Sequence, residues 1–64
     1  MKVTFGQVYD TGERFVYLDG HLIGVSKAKH GIVAFRELNS RLWKRFVGVG
    51  ELRRYIVRSF WTFV

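Results

Sequence analysis

The segment RFVYLDGHLIGV, residues 14–25, places an Asp-Gly pair between two short runs of β-branched, aromatic and aliphatic residues. This pattern predicts a β-hairpin, because a type I′ turn needs positive φ at both central positions and Asp-Gly accepts it readily. Upstream, the segment DTGE at 10–13 separates KVTFGQVY from the first of these runs. The sequence therefore predicts a three-stranded antiparallel meander over about 2–9, 14–18 and 21–27.

Side-chain alternation gives the predicted meander two different faces. With two-residue turns, Val16 lies opposite Ile23, and one face becomes the core. That face comprises Val3, Phe5, Val16, Leu18, Ile23 and Val25. The reverse face carries Val8, Phe15, Tyr17 and Leu22. It fits either base stacking or a subunit interface, and the interface is favoured. A register slip of one residue would exchange the two faces.

Beyond the segment KAKHG at 27–31, the apolar period changes. From Ala34 to Val47, large apolar residues recur at three- and four-residue steps, which predicts an amphipathic helix with Trp43 at the edge of its buried stripe. These residues are Phe35, Leu38, Leu42 and Phe46. Gly48 and Gly50 end that helix, and a second is expected from about Glu51.

The predicted fold class is α+β: a three-stranded antiparallel meander followed by two C-terminal helices packed on one face, in the order βββαα. In the second helix, one face is predicted to pack on the sheet. That face comprises Leu52, Tyr55, Ile56, Ser59, Phe60 and Phe63.

A length of 64 residues allows one domain, 1–64, and a chain this short buries only about 60% of the surface that its unfolded form exposes. The chain has no cysteine, so disulfides are excluded, and two histidines without thiolates make no structural zinc site. Oligomerisation is the stabilising device that remains, and a homo-oligomer is expected.

The expected location is the cytoplasm. The longest uncharged apolar run is far below the roughly 18 residues that a membrane span needs. The segment MKVTFGQ at 1–7 lacks the apolar core of a signal peptide. Neither feature directs the chain to a membrane or out of the cell.

The formal net charge of +6 is unevenly distributed. Residues 1–32 carry four basic and three acidic side chains, whereas residues 33–64 carry seven and two. A basic field on one part of a fold is typical of a protein with a polyanionic partner. The five acids lie at expected turns and helix starts, and no Ser/His/Asp set has a catalytic spacing, so neither an enzyme nor a cofactor is expected.

The predicted cationic surface lies on the outer sides of the two helices. On the second helix, Arg54, Arg58 and Trp61 share an exposed face, flanked by Arg53. Trp61 fits stacking on an unpaired base, packing back onto the sheet or a place in a dimer interface, and packing or dimerisation is favoured over stacking. The candidate nucleic-acid-binding residues are Arg41, Lys44, Arg45, Arg53, Arg54, Arg58, Trp61 and Tyr17.

Two functions follow from this pattern. The first is a small basic protein that binds DNA or RNA, of the kind found among viral or mobile-element regulators. The second is a small interaction module or inhibitor that docks on an acidic host protein surface, since interface hot spots use the same Trp and Arg residues. Association with a membrane surface through RRYIVRSFWTFV, 53–64, is a weaker alternative, because Val57 and Trp61 interrupt the polar face of that helix.

Overall fold

The computed structural model describes residues 2–60, which form five strands and one helix. The strands are β1 (Val3–Phe5), β2 (Glu13–Leu18), β3 (His21–Lys29), β4 (Ile32–Glu37) and β5 (Lys44–Val47), and the helix is α1 (Val49–Phe60). All neighbouring strands are antiparallel, in the order β1-β2-β3-β4-β5. The α+β class is confirmed, but the predicted order of three strands and two helices is wrong.

Two turns of the same kind build the centre of the sheet. Asp19 and Gly20 have φ values of 50° and 84°, which confirms the predicted hairpin turn between β2 and β3. His30 and Gly31 have φ values of 52° and 80° and join β3 to β4 in the same way. The chain therefore continues as a sheet after residue 31, where the sequence pattern had predicted a helix.

The predicted helix from Ala34 to Val47 is replaced by a strand, a connection and another strand. Phe35 is only 1% exposed because β4 pairs with β3 and turns this side chain into the core. Leu38 and Leu42, which the helix would have buried, are exposed in the connection at 38–43. The three- and four-residue spacing of these apolar residues therefore does not reflect a helical face.

A β-bulge changes the predicted register between β2 and β3. Val16 pairs with Gly24 and Tyr17 with Leu22, so Ile23 is an extra residue on β3 instead of the partner of Val16. Ile23 still enters the core. Beyond the bulge, however, Val25 pairs with Phe15 and lies on the opposite face from the one predicted.

The helix α1 packs on one face of the sheet through Leu52, Ile56 and Phe60, all of which are buried. It begins at Val49, after Gly48 at φ 85° reverses the chain. In its first turn, Glu51 accepts a hydrogen bond at 3.5 Å from the backbone N–H of Val47 on the edge strand β5. The buried cluster formed on this side is Val16, Leu18, Ile23, Val33, Phe35, Leu52, Ile56 and Phe60.

The other face of the sheet is not covered by α1, and we call it the open face. Its members follow from the pairing register, because directly paired residues project to the same side. They are Thr4, Glu13, Phe15, Tyr17, Leu22, Val25, Lys27, Lys29, Ile32, Ala34, Arg36, Arg45 and Val47. Within residues 2–60, no helix has the length and hydropathy needed to cross a membrane.

Candidate nucleic-acid interface

Basic side chains concentrate on the half of the open face nearest the His30-Gly31 turn. Lys27 pairs with Ala34, which in turn pairs with Arg45, so the two cations stand on either side of a small residue. Lys29 projects from the next position on the same side of β3. Lys27, Lys29 and Arg45 are all exposed to solvent.

These three cations surround a groove of about 540 Å³, which we call the cationic groove. Its floor is apolar and includes Ile32, Ala34 and Val47. Val47 is 71% exposed and Ile32 is 40% exposed, so this floor is open to a partner. An apolar floor with a cationic rim can contact the flat or aliphatic parts of a ligand while its charged groups bind anions.

Trp43 stands at the edge of the open face. Continuing the pairing of β4 and β5 by one residue places it beside Arg36. The Arg36 guanidinium carbon lies 5.6 Å from the Trp43 ring centroid, and the Lys27 Nζ lies 5.8 Å from it, both within the range of cation–π attraction. Arg36 also donates a hydrogen bond of 3.0 Å to the Ser40 carbonyl oxygen. Trp43 is therefore held on the sheet yet remains 39% exposed, not in the core as the sequence pattern indicated.

One carboxylate, that of Glu13, lies next to the groove cations without forming a hydrogen bond to any of them. Glu13 pairs with Lys27 across β2 and β3, but its Oε1 accepts a hydrogen bond of 3.0 Å from the Thr11 hydroxyl. Among residues 2–60, no hydrogen bond joins Lys27, Lys29 or Arg45 to a carboxylate. With three cations beside the one carboxylate of Glu13, the cationic groove carries a net positive charge.

A second cationic surface, which we call the helix face, lies on α1. Arg53, Arg54 and Arg58 are exposed and, together with Val57, surround a shallow depression of about 410 Å³. The Arg53 guanidinium carbon lies 5.9 Å from the Phe5 ring centroid, so this residue also packs along β1. The predicted packing face of this helix is confirmed at Leu52, Ile56 and Phe60, but Ser59 is exposed, and Phe63 lies outside the described residues.

The structure divides the predicted site residues between different sides of the molecule. Arg45 and Tyr17 lie on the open face, whereas Arg53, Arg54 and Arg58 lie on the helix face. Arg41 is exposed in the connection at 38–43. Trp61 lies outside the described residues. Among residues 2–60, the single strip expected from two adjacent helices is therefore not formed, because β4, the connection at 38–43 and β5 replace the first of those helices.

Lys44 is engaged in a hydrogen-bond chain on the helix side of the sheet edge. Its Nζ donates to the Tyr55 hydroxyl at 2.6 Å, and that hydroxyl donates to Glu37 Oε1 at 3.2 Å. The hydrogen bond to Tyr55 raises the pKa of Lys44, with a smaller contribution from the Glu37 carboxylate. The group is thus a cation at neutral pH, but its charge is partly balanced within the chain.

Sequence reasoning missed three residues of the open face: Lys27, Lys29 and Trp43. A signal for two of them was present. Lys27 and Lys29 are two residues apart, a spacing that places both side chains on the same side of a strand. The predicted strand ends at 27, however, so Lys29 falls outside it. Because β3 extends to Lys29, the two lysines do lie on one side of the strand.

Comparison with known proteins identifies no relative. The chain matches no protein-family model, no curated protein and no solved structure. We therefore infer a function from the geometry and charge of the two surfaces described above.

Proposed function

We propose that the protein binds nucleic acid and that the cationic groove contacts the phosphate backbone. The observation that supports this proposal is the convergence of Lys27, Lys29 and Arg45 on the sheet face that α1 leaves open. All three are exposed, and none of them donates a hydrogen bond to a carboxylate of the described residues. Such contacts neutralise phosphates and release counterions, which is the main source of affinity in binding without sequence preference.

The spacing of the three cations suits a repeating anion. Lys27 and Lys29 are separated by two strand residues, or about 6.6 Å along β3. Lys27 and Arg45 are separated by two strand spacings, or about 9.6 Å across the sheet. Long flexible side chains starting from these positions can reach successive phosphates along one nucleic-acid strand.

Aromatic side chains beside the groove supply a second type of contact. Trp43 is the more accessible candidate for stacking on a base, because part of its ring remains exposed next to Lys27. Tyr17 lies on the same face but is half-buried, between Thr4 and Leu22. Stacking by Trp43 would add affinity for unpaired bases over a paired duplex.

A second candidate function is docking on an acidic protein surface. The exposed apolar floor of the groove, Ile32 and Val47, favours this alternative, because a phosphate backbone makes little use of apolar area. The expected homo-oligomer remains a prediction. Phe15, Tyr17 and Leu22 of the predicted interface do lie together on the open face.

Neutralising the groove is expected to weaken nucleic-acid binding and flatten its salt dependence. For the variant Lys29→Gln/Arg45→Gln, loss of two phosphate contacts should lower the slope of log K against log salt by about 1.8 on duplex DNA. The binding constant at about 50 mM salt should fall at least tenfold. Fluorescence anisotropy with a short random-sequence duplex and the matching single strand, over about 50 to 200 mM salt, measures both effects.

The matched control is Lys2→Gln/Arg14→Gln, which removes the same charge from exposed positions outside the groove. This control should keep the salt slope within about 0.5 of the starting protein, since it loses only long-range attraction. Equal losses in both double variants would mean that net charge alone, and not the groove, determines binding. If the unaltered protein binds neither probe at low salt but is retained on immobilised polyglutamate, the acidic-protein alternative replaces this proposal.

A further inference from the structure

We propose that the helix face is a second phosphate-binding surface, so that one molecule can hold two segments of nucleic acid at once. This inference rests on the proposed function, which concerns the cationic groove alone. It follows from the presence of two separate cationic clusters on opposite sides of a single small fold.

The opposition of the two surfaces follows from how α1 packs. Leu52 and Ile56 face the sheet and are fully buried. Arg54 lies two residues from each, and at about 100° per residue its side chain points almost directly away from the sheet. The cationic groove faces the other way, on the far side of the sheet. A single straight nucleic-acid segment can therefore contact only one of the two surfaces.

The cationic groove and the helix face are separated by about the thickness of the molecule, which is small. The Cα positions span 31 × 21 × 21 Å, and both the sheet and the helix lie between the two surfaces. Two anionic segments bound on either side would be separated by a layer of protein that carries compensating positive charge. Such an arrangement reduces the repulsion between segments that would otherwise keep them apart.

Stabilisation of the fold explains only part of the positive charge on the helix face. Arg58 lies in the last turn of α1, where a cation stabilises the helix dipole, and Arg53 packs beside Phe5. Arg54 has no such role, and its i,i+4 relation to Arg58 is repulsive in the free protein. The acid of this helix, Glu51, hydrogen-bonds the backbone of Val47. An anionic ligand would relieve the repulsion between Arg54 and Arg58.

The experiment measures the capture of one duplex by another. A biotinylated duplex is fixed on beads and loaded with protein, and a second duplex with a fluorescent label is added at low salt. The captured label is divided by the amount of protein on the beads. The proteins compared are the unaltered chain, Arg54→Gln/Arg58→Gln for the helix face, Lys29→Gln/Arg45→Gln for the groove, and Lys2→Gln/Arg14→Gln as the charge-matched control.

Capture per bound molecule should be high for the unaltered chain and the control, and at least fivefold lower for each variant that lacks one surface. A protein that binds the first duplex but captures no second one would overturn the inference while leaving the proposed function intact. Undiminished capture by the helix variant would also overturn it, because self-association through another surface would then explain the bridging. A protein that binds neither the fixed duplex nor the matching single strand at low salt would reject both the proposed function and this inference.

Discussion

Replacement of Gly24 by alanine is expected to leave little folded protein at room temperature. A Cβ at this position would meet the backbone carbonyl oxygen of Arg36 and two ring carbons of Phe35, the latter at 2.7 and 2.9 Å. Excess volume in a packed core costs about 1–3 kcal/mol and occasionally more. A core of this size rarely supplies more than about 3–5 kcal/mol, so the folded state should lose most of its stability. Circular dichroism and urea denaturation measure this loss.

The matched control is Gly50→Ala. A Cβ at Gly50 meets no atom within 4 Å, and this glycine lies in the first turn of α1 without a positive φ. The change should leave the free energy of unfolding unaltered or raise it by up to about 1 kcal/mol, because alanine is more favourable than glycine in a helix. The double variant Gly24→Ala/Phe35→Leu should not recover the starting stability, because the backbone of Arg36 remains in the way. A fully folded Gly24→Ala protein would show that β3 and β4 do not approach each other as described.

The second large effect is expected from Leu52→Ala. Leu52 has no exposed surface and joins α1 to the sheet. Leu→Ala changes in buried positions cost about 2–5 kcal/mol, from lost transfer free energy and the cavity that remains. The variant should therefore unfold at much lower urea concentration, with the helix and sheet signals lost together because one core supports both. Urea denaturation followed by far-ultraviolet circular dichroism tests this outcome.

Val57→Ala serves as its control on the same helix. Val57 is 38% exposed and lies among the arginines of the helix face, so its truncation should cost well under about 1 kcal/mol. If Leu52→Ala and Val57→Ala had the same effect on the urea midpoint, the orientation of α1 on the sheet would be wrong.

The hairpin of β2 and β3 was predictable because its turn has a strong local signal in the sequence. Asp19-Gly20 meets the positive φ requirement with the residue pair that most favours it. His30-Gly31 forms the same type of turn, but His-Gly is not one of the residue pairs, such as Asn-Gly and Asp-Gly, that mark this turn in a sequence. The hairpin between β3 and β4 was therefore missed, and the strand β4 with it.

The helix α1 was predicted approximately, from about Glu51 against the observed start at Val49. Its apolar residues Leu52, Ile56 and Phe60 are spaced for one helical face and do form that face. The false helix at 34–47 had a similar spacing. What distinguishes the segment 34–47 from α1 is the pairing of its first part with β3. This pairing is a tertiary interaction, and the local spacing of apolar residues does not indicate it.

The cationic groove was not predictable for a related reason. Lys27 and Lys29 come from β3 and Arg45 from β5, with β4 between them. Their proximity depends on the register of three strands, and two of those strands were predicted to be helix or loop. The positive charge of the chain was visible in its composition, whereas its division between two opposite surfaces depends on the fold.

Nuclear magnetic resonance titration of the ¹⁵N-labelled protein with a short DNA duplex tests most directly whether the open face binds nucleic acid. We predict that the largest amide shifts on the sheet occur at Lys27, Lys29 and Arg45, with the Trp43 indole N–H shifting alongside them. Shifts confined to the helix face, or no shifts at low salt, would contradict the proposal that the open face of the sheet is a nucleic-acid-binding surface.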